Sequence, residues 1–348
     1  MSRIDVKEAV NLIKNAPLRE LGKMAYAKKK ELHREGITTF VVDRNINYTN
    51  VCWVNCKFCA FYESENSKNA YTLSFDEIDK KIDELIEIGG TQILFQGGVH
   101  PKFEIEWYEE LVEHIHKKYP QITIHGFSAV EIDYISRRSR ISIDEVIERL
   151  HKKGLSSIPG AGAEILSDRV RDIISPKKLD RESWLKIHEK AHKIGVKTTA
   201  TMMFGTVESD EEIVEHFNHI RELQDRTGGF RAFIIWSFQG KGTQLLQEIP
   251  TITKHSSNRY LRLLAVARIF LDNILNIQSS WVTQGSYIGQ MALLWGANDL
   301  GSTMMEENVV SAAGATNRMN RDEMIKLIRD VGETPAQRDT AYNILKVY

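Results

Sequence analysis

The sequence predicts an α/β protein, a TIM-type (βα) barrel with helices ahead of it and a tail that closes it. Three observations carry this. Short apolar runs alternate with amphipathic stretches of a dozen residues or more from about residue 74 onward, which is the rhythm of βαβ units in a parallel sheet. The alternation repeats about seven times, enough to favour closure over an open sheet. The chemically unusual residues gather just after the apolar runs, where the C-terminal face of a barrel carries its site.

Taken in order, residues 5–35 are expected to be helical, because Leu12, Ile13, Leu18, Leu21, Met24 and Ala25 recur at helical spacing before Gly36. Residues 37–42 and then 47–51 are extended and lead into the cysteines. Ser74, with Glu77 three residues on, makes a capping box for a helix that Gly89-Gly90 ends. Strands are predicted at 91–95, 122–127, 155–158, 196–204, 230–238 and 277–282. The helices between them span 104–119, 142–153, 180–194, 209–227 and 256–275. The expected organisation is a helical segment at 1–36, the barrel at 37–284, and a closing extension at 285–348, all in one domain.

The chain has 348 residues, 42% hydrophobic and 27% charged, with a net charge of −1. This is an ordinary globular composition. A balanced charge gives no global attraction to nucleic acid or to an anionic membrane. No apolar run reaches the roughly 20 residues of a spanning helix, and the first residues lack the apolar core of a signal peptide. The expectation is a cytoplasmic protein with neither nucleic acid nor membrane as partner.

Cys52, Cys56 and Cys59 are the only cysteines and lie in NYTNVCWVNCKFCAFY. An odd, clustered set argues against a disulfide framework and for a metal. Three thiolates on one tight loop can hold three irons of a cubane and leave the fourth open, and an open metal position is where substrate chemistry takes place. Two readings compete with this: zinc with His33 or His100 as fourth ligand, and three buried structural thiols.

The CxxxCxxC spacing, with Phe58 before the last cysteine, resembles the signature of the radical S-adenosylmethionine (SAM) superfamily. The resemblance implies a [4Fe–4S] cluster on the three cysteines and SAM chelating the open iron. It also implies reductive cleavage of SAM to methionine and a 5′-deoxyadenosyl radical, and an external electron donor of the flavodoxin or ferredoxin type. Gln96-Gly97-Gly98 resembles the glycine motif that receives the methionine amino group, with Val99 where that motif has Glu. Ser128, Glu131 and Glu164 then fall where ribose or ammonium would be bonded. Gly205-Thr206-Val207-Glu208 resembles the GxxE beside adenine, and Phe61 and Tyr62 are candidates to cover the base.

Longer strings, NINYTNVCWVNCKFCAFY, LFQGGVHP, IPGAGAEIL, TATMMFGTVES, TGGFRAFIIWSFQ and GANDLGSTMMEENVVSAAGA, are similar to the cyclic dehypoxanthinyl futalosine synthase family of menaquinone biosynthesis. The likeness runs from about residue 37 to 320. Aminofutalosine synthases and the halves of FO synthase are the enzymatic alternatives; an iron–sulfur scaffold and a zinc-stabilised hydrolase are readings of other kinds. The family implies a small-molecule substrate in which a ribose is tethered to a benzoate. A hydrogen is taken from ribose C4′ and the carbon radical adds to the ring. Such a site needs a base, for which His100, Glu131, Tyr134 and Glu306 are candidates. It needs a carboxylate partner, for which Arg231 and Arg318 are candidates. Trp236, Phe238 and Trp281 are candidates to wall the ring.

Overall fold

The computed structural model describes residues 3–253 and 255–348, and in it eleven strands form one sheet. They are β1 (Ile37–Val41), β2 (Asp43–Ile46), β3 (Gln92–Phe95), β4 (Thr123–Gly126), β5 (Leu155–Ile158), β6 (Lys197–Phe204), β7 (Phe230–Ser237), β8 (Asn276–Gln278), β9 (Asp299–Ser302), β10 (Thr334–Arg338) and β11 (Ile344–Val347). From β2 to β9 each strand lies parallel to the next in the chain. Helices supply the crossovers that parallel neighbours require.

β1 and β2 are two halves of one extended segment. β1 pairs with β9, matching Thr39 with Asp299 and Val41 with Ser302, while β2 pairs with β3. Beyond β9 the pairing continues, because Thr303 N–H donates to the Val41 carbonyl and Asn45 N–H to that of Met305. A single segment therefore meets both ends of the run and closes it into a barrel. β10 lies parallel against β1 below the point where β3 begins, and β11 folds back antiparallel on β10.

The crossover helices form for local reasons. Phe75–Glu87 starts at Ser74 with the expected capping box and buries Ile78, Ile82 and Leu85 on one stripe. Ser142, Asp180 and Ser209 likewise accept N–H bonds from the first turns of their helices. Each stripe faces the sheet, so the core is the annulus between strands and helices.

Several elements differ from the sequence expectation. The N-terminal helix is two, Val6–Asn15 and Leu18–Leu32, because Pro17 forces Ala16 into extended backbone at ψ 137°. The second packs on Ser257–Phe270 and the first on Asp210–Thr227. A helix at Ala129–Ser139, capped by Ser128, occupies a stretch for which the sequence predicts no element. The predicted strand at 277–282 is cut to Asn276–Gln278, and Trp281–Gln284 turns into a short helix. The last barrel strand, β9, lies beyond the expected limit at 284; its sequence DLGS carries too little alternation to be recognised. The tail adds β10 and β11, so it supplies strands as well as a cover. No helix among the described residues is long and apolar enough to cross a membrane.

At the barrel floor, Asp299 joins three strands. Its carboxylate accepts Thr39 Oγ1 at 2.6 Å, the Gly301 N–H at 2.8 Å, and Arg338 through Nε at 2.5 Å and Nη2 at 3.2 Å. Burial alone would depress the Arg338 guanidinium, but Asp299, with help from Tyr342, more than reverses this and holds it charged. A second buried pair, Lys29 with Glu333 at 2.6 Å, ties the N-terminal helix to the start of β10. Asp299→Asn should lose about 3–5 kcal/mol in urea unfolding, since it strands a buried cation. The double variant Asp299→Asn/Arg338→Met should recover most of that, and equal losses in both would show that the charge pair is not what holds the floor.

Candidate active site

A cavity of about 420 Å3 runs inside the barrel from the cysteine loop at the C-terminal strand ends to the floor under β7 and β10. The loop is pinned from three directions. Trp53 N–H donates to the Val99 carbonyl at 3.2 Å, Lys57 N–H to Ile174 at 2.9 Å, and Leu245 N–H to Lys57 at 2.7 Å. The end of β3 supports it closely. A Cβ on Gly97 would stand 2.5 Å from the Tyr48 ring, and one on Gly98 would strike the Val51 carbonyl. These glycines are thus required by close backbone approach.

All three cysteines line the cavity. Burial pushes the Cys56 thiol up to about 12 and raises that of Cys59; the main-chain N–H groups of Phe61 and Tyr62, aimed at the Cys59 sulfur, oppose the rise there. Free thiols in this setting stay protonated, whereas coordination to iron stabilises thiolates, and N–H donors to the sulfurs tune a cluster. The zinc reading lacks its fourth ligand. His33 lies ahead of β1, at the far end of the barrel, with Nε2 2.9 Å from the Leu275 carbonyl. His100 is stacked on Phe103 at 3.8 Å and accepts from the Lys102 N–H. Among the described residues no three His, Cys, Asp or Glu side chains gather round one ion position. A cubane spaces its ligands by its own width, and three thiols on one wall of a cavity suit it.

Glu164 follows β5 in left-handed backbone, φ 41°, and points into the cavity. Lys178 Nζ donates to its Oε1 at 2.7 Å, and Lys178 stands 4.8 Å from the Phe58 ring centroid. Burial works against the Lys178 charge, but Cys56 and Glu164 outweigh it and raise its pKa. Glu164 Oε2, which faces Arg171 Nη1 at 3.9 Å, and Asn45 Oδ1 are buried acceptors with no hydrogen-bond donor among the described residues, so a bound molecule carrying N–H or O–H groups would satisfy both. The zwitterionic end of SAM matches a carboxylate beside an ammonium, and its ribose hydroxyls match the open acceptors. Lys178 carried no sequence signal, because a lysine in a short loop has no pattern to announce it.

Of the remaining expected cofactor residues, Phe58, Phe61, Tyr62, Gln96, Gly97, Gly98 and Ser128 line the cavity. Gly205 does not: its N–H donates to Glu208 at 2.5 Å, so the GxxE-like segment is closed on itself. Of the proposed bases, Glu131 alone reaches the wall, and its lone pairs are committed. It accepts Tyr48 Oη at 2.5 Å, the Gly97 N–H at 3.2 Å, and Ser128 through N–H at 2.6 Å and Oγ at 2.7 Å. It anchors the glycine strand end. His100 lies outside, and so does Tyr134, whose hydroxyl bonds the Pro101 carbonyl. Glu306 pairs with Arg44 and Lys81 on the outer side of the seam. Arg318 is exposed beside a second, outer cavity. Arg231, Trp236, Phe238 and Trp281 all line the barrel cavity. Sequence reasoning missed its polar lower half, Asp43, Gln92, His125, Gln278 and Arg338 on strands and Tyr342 in the connection after β10, since single polar residues in such places resemble solvated ones.

Changing Cys52, Cys56 or Cys59 singly to Ala should abolish the brown cluster absorption after anaerobic reconstitution while leaving the far-UV spectrum unchanged; a variant that keeps full iron content refutes the ligand set. Glu131→Gln sets an amide donor against donors, so it should cost about 1–3 kcal/mol of stability; an unchanged melting temperature would show that its network is slack.

The model of the radical SAM superfamily matches residues 46–220, and that of the CofH/MqnC C-terminal region matches residues 227–348. A cyclic dehypoxanthine futalosine synthase of Streptomyces coelicolor is 48% identical over 99% of this chain and 86% of its own length. A synthase of the same name from Halalkalibacterium halodurans is 44% identical over 99% and 92%. A 5-amino-6-(D-ribitylamino)uracil–L-tyrosine 4-hydroxyphenyl transferase of Archaeoglobus fulgidus is 41% identical over 90% and 92%. In fold, the chain is similar to the hydrogenase maturase HydG (TM-score 0.77, 16% identity, 96% of this chain and 73% of that one) and to methylornithine synthase PylB (0.75, 14%, 96% and 95%). With three thiols on the cavity wall and matched models over nearly all of its length, the chain belongs to the radical SAM superfamily, as an α/β-barrel enzyme whose cofactors are a [4Fe–4S] cluster and SAM.

Proposed function

We propose that this enzyme cyclises dehypoxanthine futalosine to cyclic dehypoxanthinyl futalosine in menaquinone biosynthesis, taking a hydrogen from ribose C4′ and joining that carbon to the benzoate ring, which then gives up a proton and an electron to regain aromaticity; SAM, cleaved to methionine and 5′-deoxyadenosine, is the net oxidant. The observation that carries this reading is the 48% identity, across 99% of the chain, to a synthase named for that product.

Bound cluster and SAM supply the hydrogen-abstracting carbon radical. The chain's own residues do the rest. Cys52, Cys56 and Cys59 hold the cluster at the mouth of the barrel, and the loop contacts from Val99, Ile174 and Leu245 fix it there. Glu164 and Lys178 orient the charged end of SAM, while Glu131 keeps Gly97 and Gly98 against the loop. Below them, Trp236, Phe238 and Trp281 offer flat apolar surface to an aromatic ring. Trp281 is fixed by its indole N–H to the Ser302 carbonyl at 3.1 Å. The enclosed barrel keeps water from a reactive intermediate and holds the reacting carbons in near-attack range. The proposed electron donor is a flavodoxin- or ferredoxin-type protein, and the proposed setting is the cytoplasm.

The test uses substrate carrying deuterium at C4′, with SAM and a strong reductant. The label should appear in 5′-deoxyadenosine as the cyclised product forms. The 41% identity to the tyrosine transferase supports one competing reading; consumption of tyrosine with 5-amino-6-(D-ribitylamino)uracil, and none of dehypoxanthine futalosine, would replace the proposal with it.

A further inference from the structure

Among the described residues, three basic side chains of Lys and Arg type line the barrel cavity: Lys178, Arg231 and Arg338. Two of them are neutralised, Lys178 by Glu164 and Arg338 by the bidentate grip of Asp299. Arg231 is not. It rises from the start of β7 at the floor, half-buried, and its guanidinium makes one long hydrogen bond among the described residues, 3.4 Å from Nη1 to the Thr340 carbonyl. The carboxylate whose field it feels, Asp339, is outside ion-pair distance, and both its oxygens are engaged, by the N–H groups of Ala341 and Asn343 and by the Asn343 amide. Tyr342 faces the same space with left-handed backbone, φ 68°. Its ring lies 3.9 Å from the Arg338 guanidinium, and its hydroxyl has no hydrogen-bond partner among the described residues. His125, on the adjoining wall, is kept neutral by burial and by the two arginines, which push it down to about 3. A partly buried cation without a counterion costs free energy, and at a closed cavity end such a group is a receptor awaiting an anion.

We propose that the barrel floor is the subsite for the substrate's aryl carboxylate, with the Arg231 guanidinium as its charge partner and the Tyr342 hydroxyl as a second donor. The planar guanidinium matches a carboxylate in a bidentate fashion. The floor is closed by Arg338–Tyr342, so the anionic end lies deepest and the opposite end of the substrate faces the cluster loop. The carboxylate thereby sets how deep the substrate sits, and with it which carbon stands before SAM. This assignment rests on the function proposed above and deepens it; it also decides between Arg231 and Arg318, since Arg318 is exposed outside the barrel.

The test compares dehypoxanthine futalosine with its carboxamide on the reconstituted full-length enzyme. The parent should favour the acid by roughly 10- to 100-fold in KM, the worth of a charged hydrogen-bond pair. In Arg231→Gln the preference should vanish through a raised KM for the acid, with the cluster spectrum unchanged; Arg318→Gln should keep it. A preference that survives in Arg231→Gln overturns the proposal. Free of ligand, Arg231→Gln should melt no lower than the parent, because it removes an uncompensated cation; a loss of many degrees would make Arg231 a structural residue and also overturn it. If the parent turns over neither compound, the proposed function falls while the floor is still judged by benzoate itself, which should raise the melting temperature of the parent and leave Arg231→Gln unmoved. No shift in the parent at saturating benzoate would sink the subsite.

Discussion

The Asp299–Arg338 pair is the joint on which the architecture turns. Asp299 belongs to the last barrel strand, Thr39 to the first segment, and Arg338 to the strand inserted beneath β3. One buried carboxylate thus closes the ring, seats β10 in the gap below it and gives the cavity a floor. Because each oxygen meets its donors at good geometry, the desolvation of both charges is offset by bonds that exist only when all three strands are in register. An open-ended barrel with the same strands would be a water-filled tube; the plug makes it a pocket with one mouth, and the mouth is where the cysteines are.

The two ends of the pocket follow different physical logics. The mouth is built from backbone. Bare glycines let the end of β3 lie on the cysteine loop, and Glu131, spent on Tyr48, Gly97 and Ser128, keeps that approach rigid. The floor is built from side chains: Arg338 is gripped by Asp299 and lies in the field of buried Asp43, while Arg231 has no carboxylate within ion-pair distance among the described residues. A carboxylate in a catalytic neighbourhood is easily taken for a proton carrier. Here the saturated hydrogen bonding of Glu131 assigns it to positioning, and the unsaturated bonding of Glu164 Oε2 marks that residue as the one with capacity for a ligand.

Conformational constraint is concentrated at the same places. Glu164 and Tyr342 are non-glycine residues in left-handed backbone, at φ 41° and 68°. Such conformations cost of order 1–3 kcal/mol each and persist where surrounding contacts over-determine them. Glu164 is held by the Met203 N–H on its carbonyl and by Lys178 on its carboxylate, so the distorted turn after β5 delivers the side chain into the cavity. Tyr342 turns its ring beneath Arg338 in the same way.

The sequence by itself determined the strand–helix rhythm, the helix starts at Ser74, Ser142 and Ser209, and the cysteine loop, since caps, periodicity and ligand spacing are local properties of the chain. It also brought forward the glycines of the mouth and the aromatic wall of Trp236, Phe238 and Trp281. It did not reveal β9 or β10, whose strand character comes from partners some 260 to 300 residues earlier in the chain, nor the break that Pro17 and its neighbours impose until the two helices found different surfaces. Which polar residues form the site was a tertiary decision. His100, Tyr134, Glu306 and Arg318 are as plausible in one dimension as Glu164, Lys178 and Arg231. Barrel closure alone turns the second group inward and leaves the first outside, because whether a strand-end side chain meets the cavity depends on register and on which neighbour has already taken its charge.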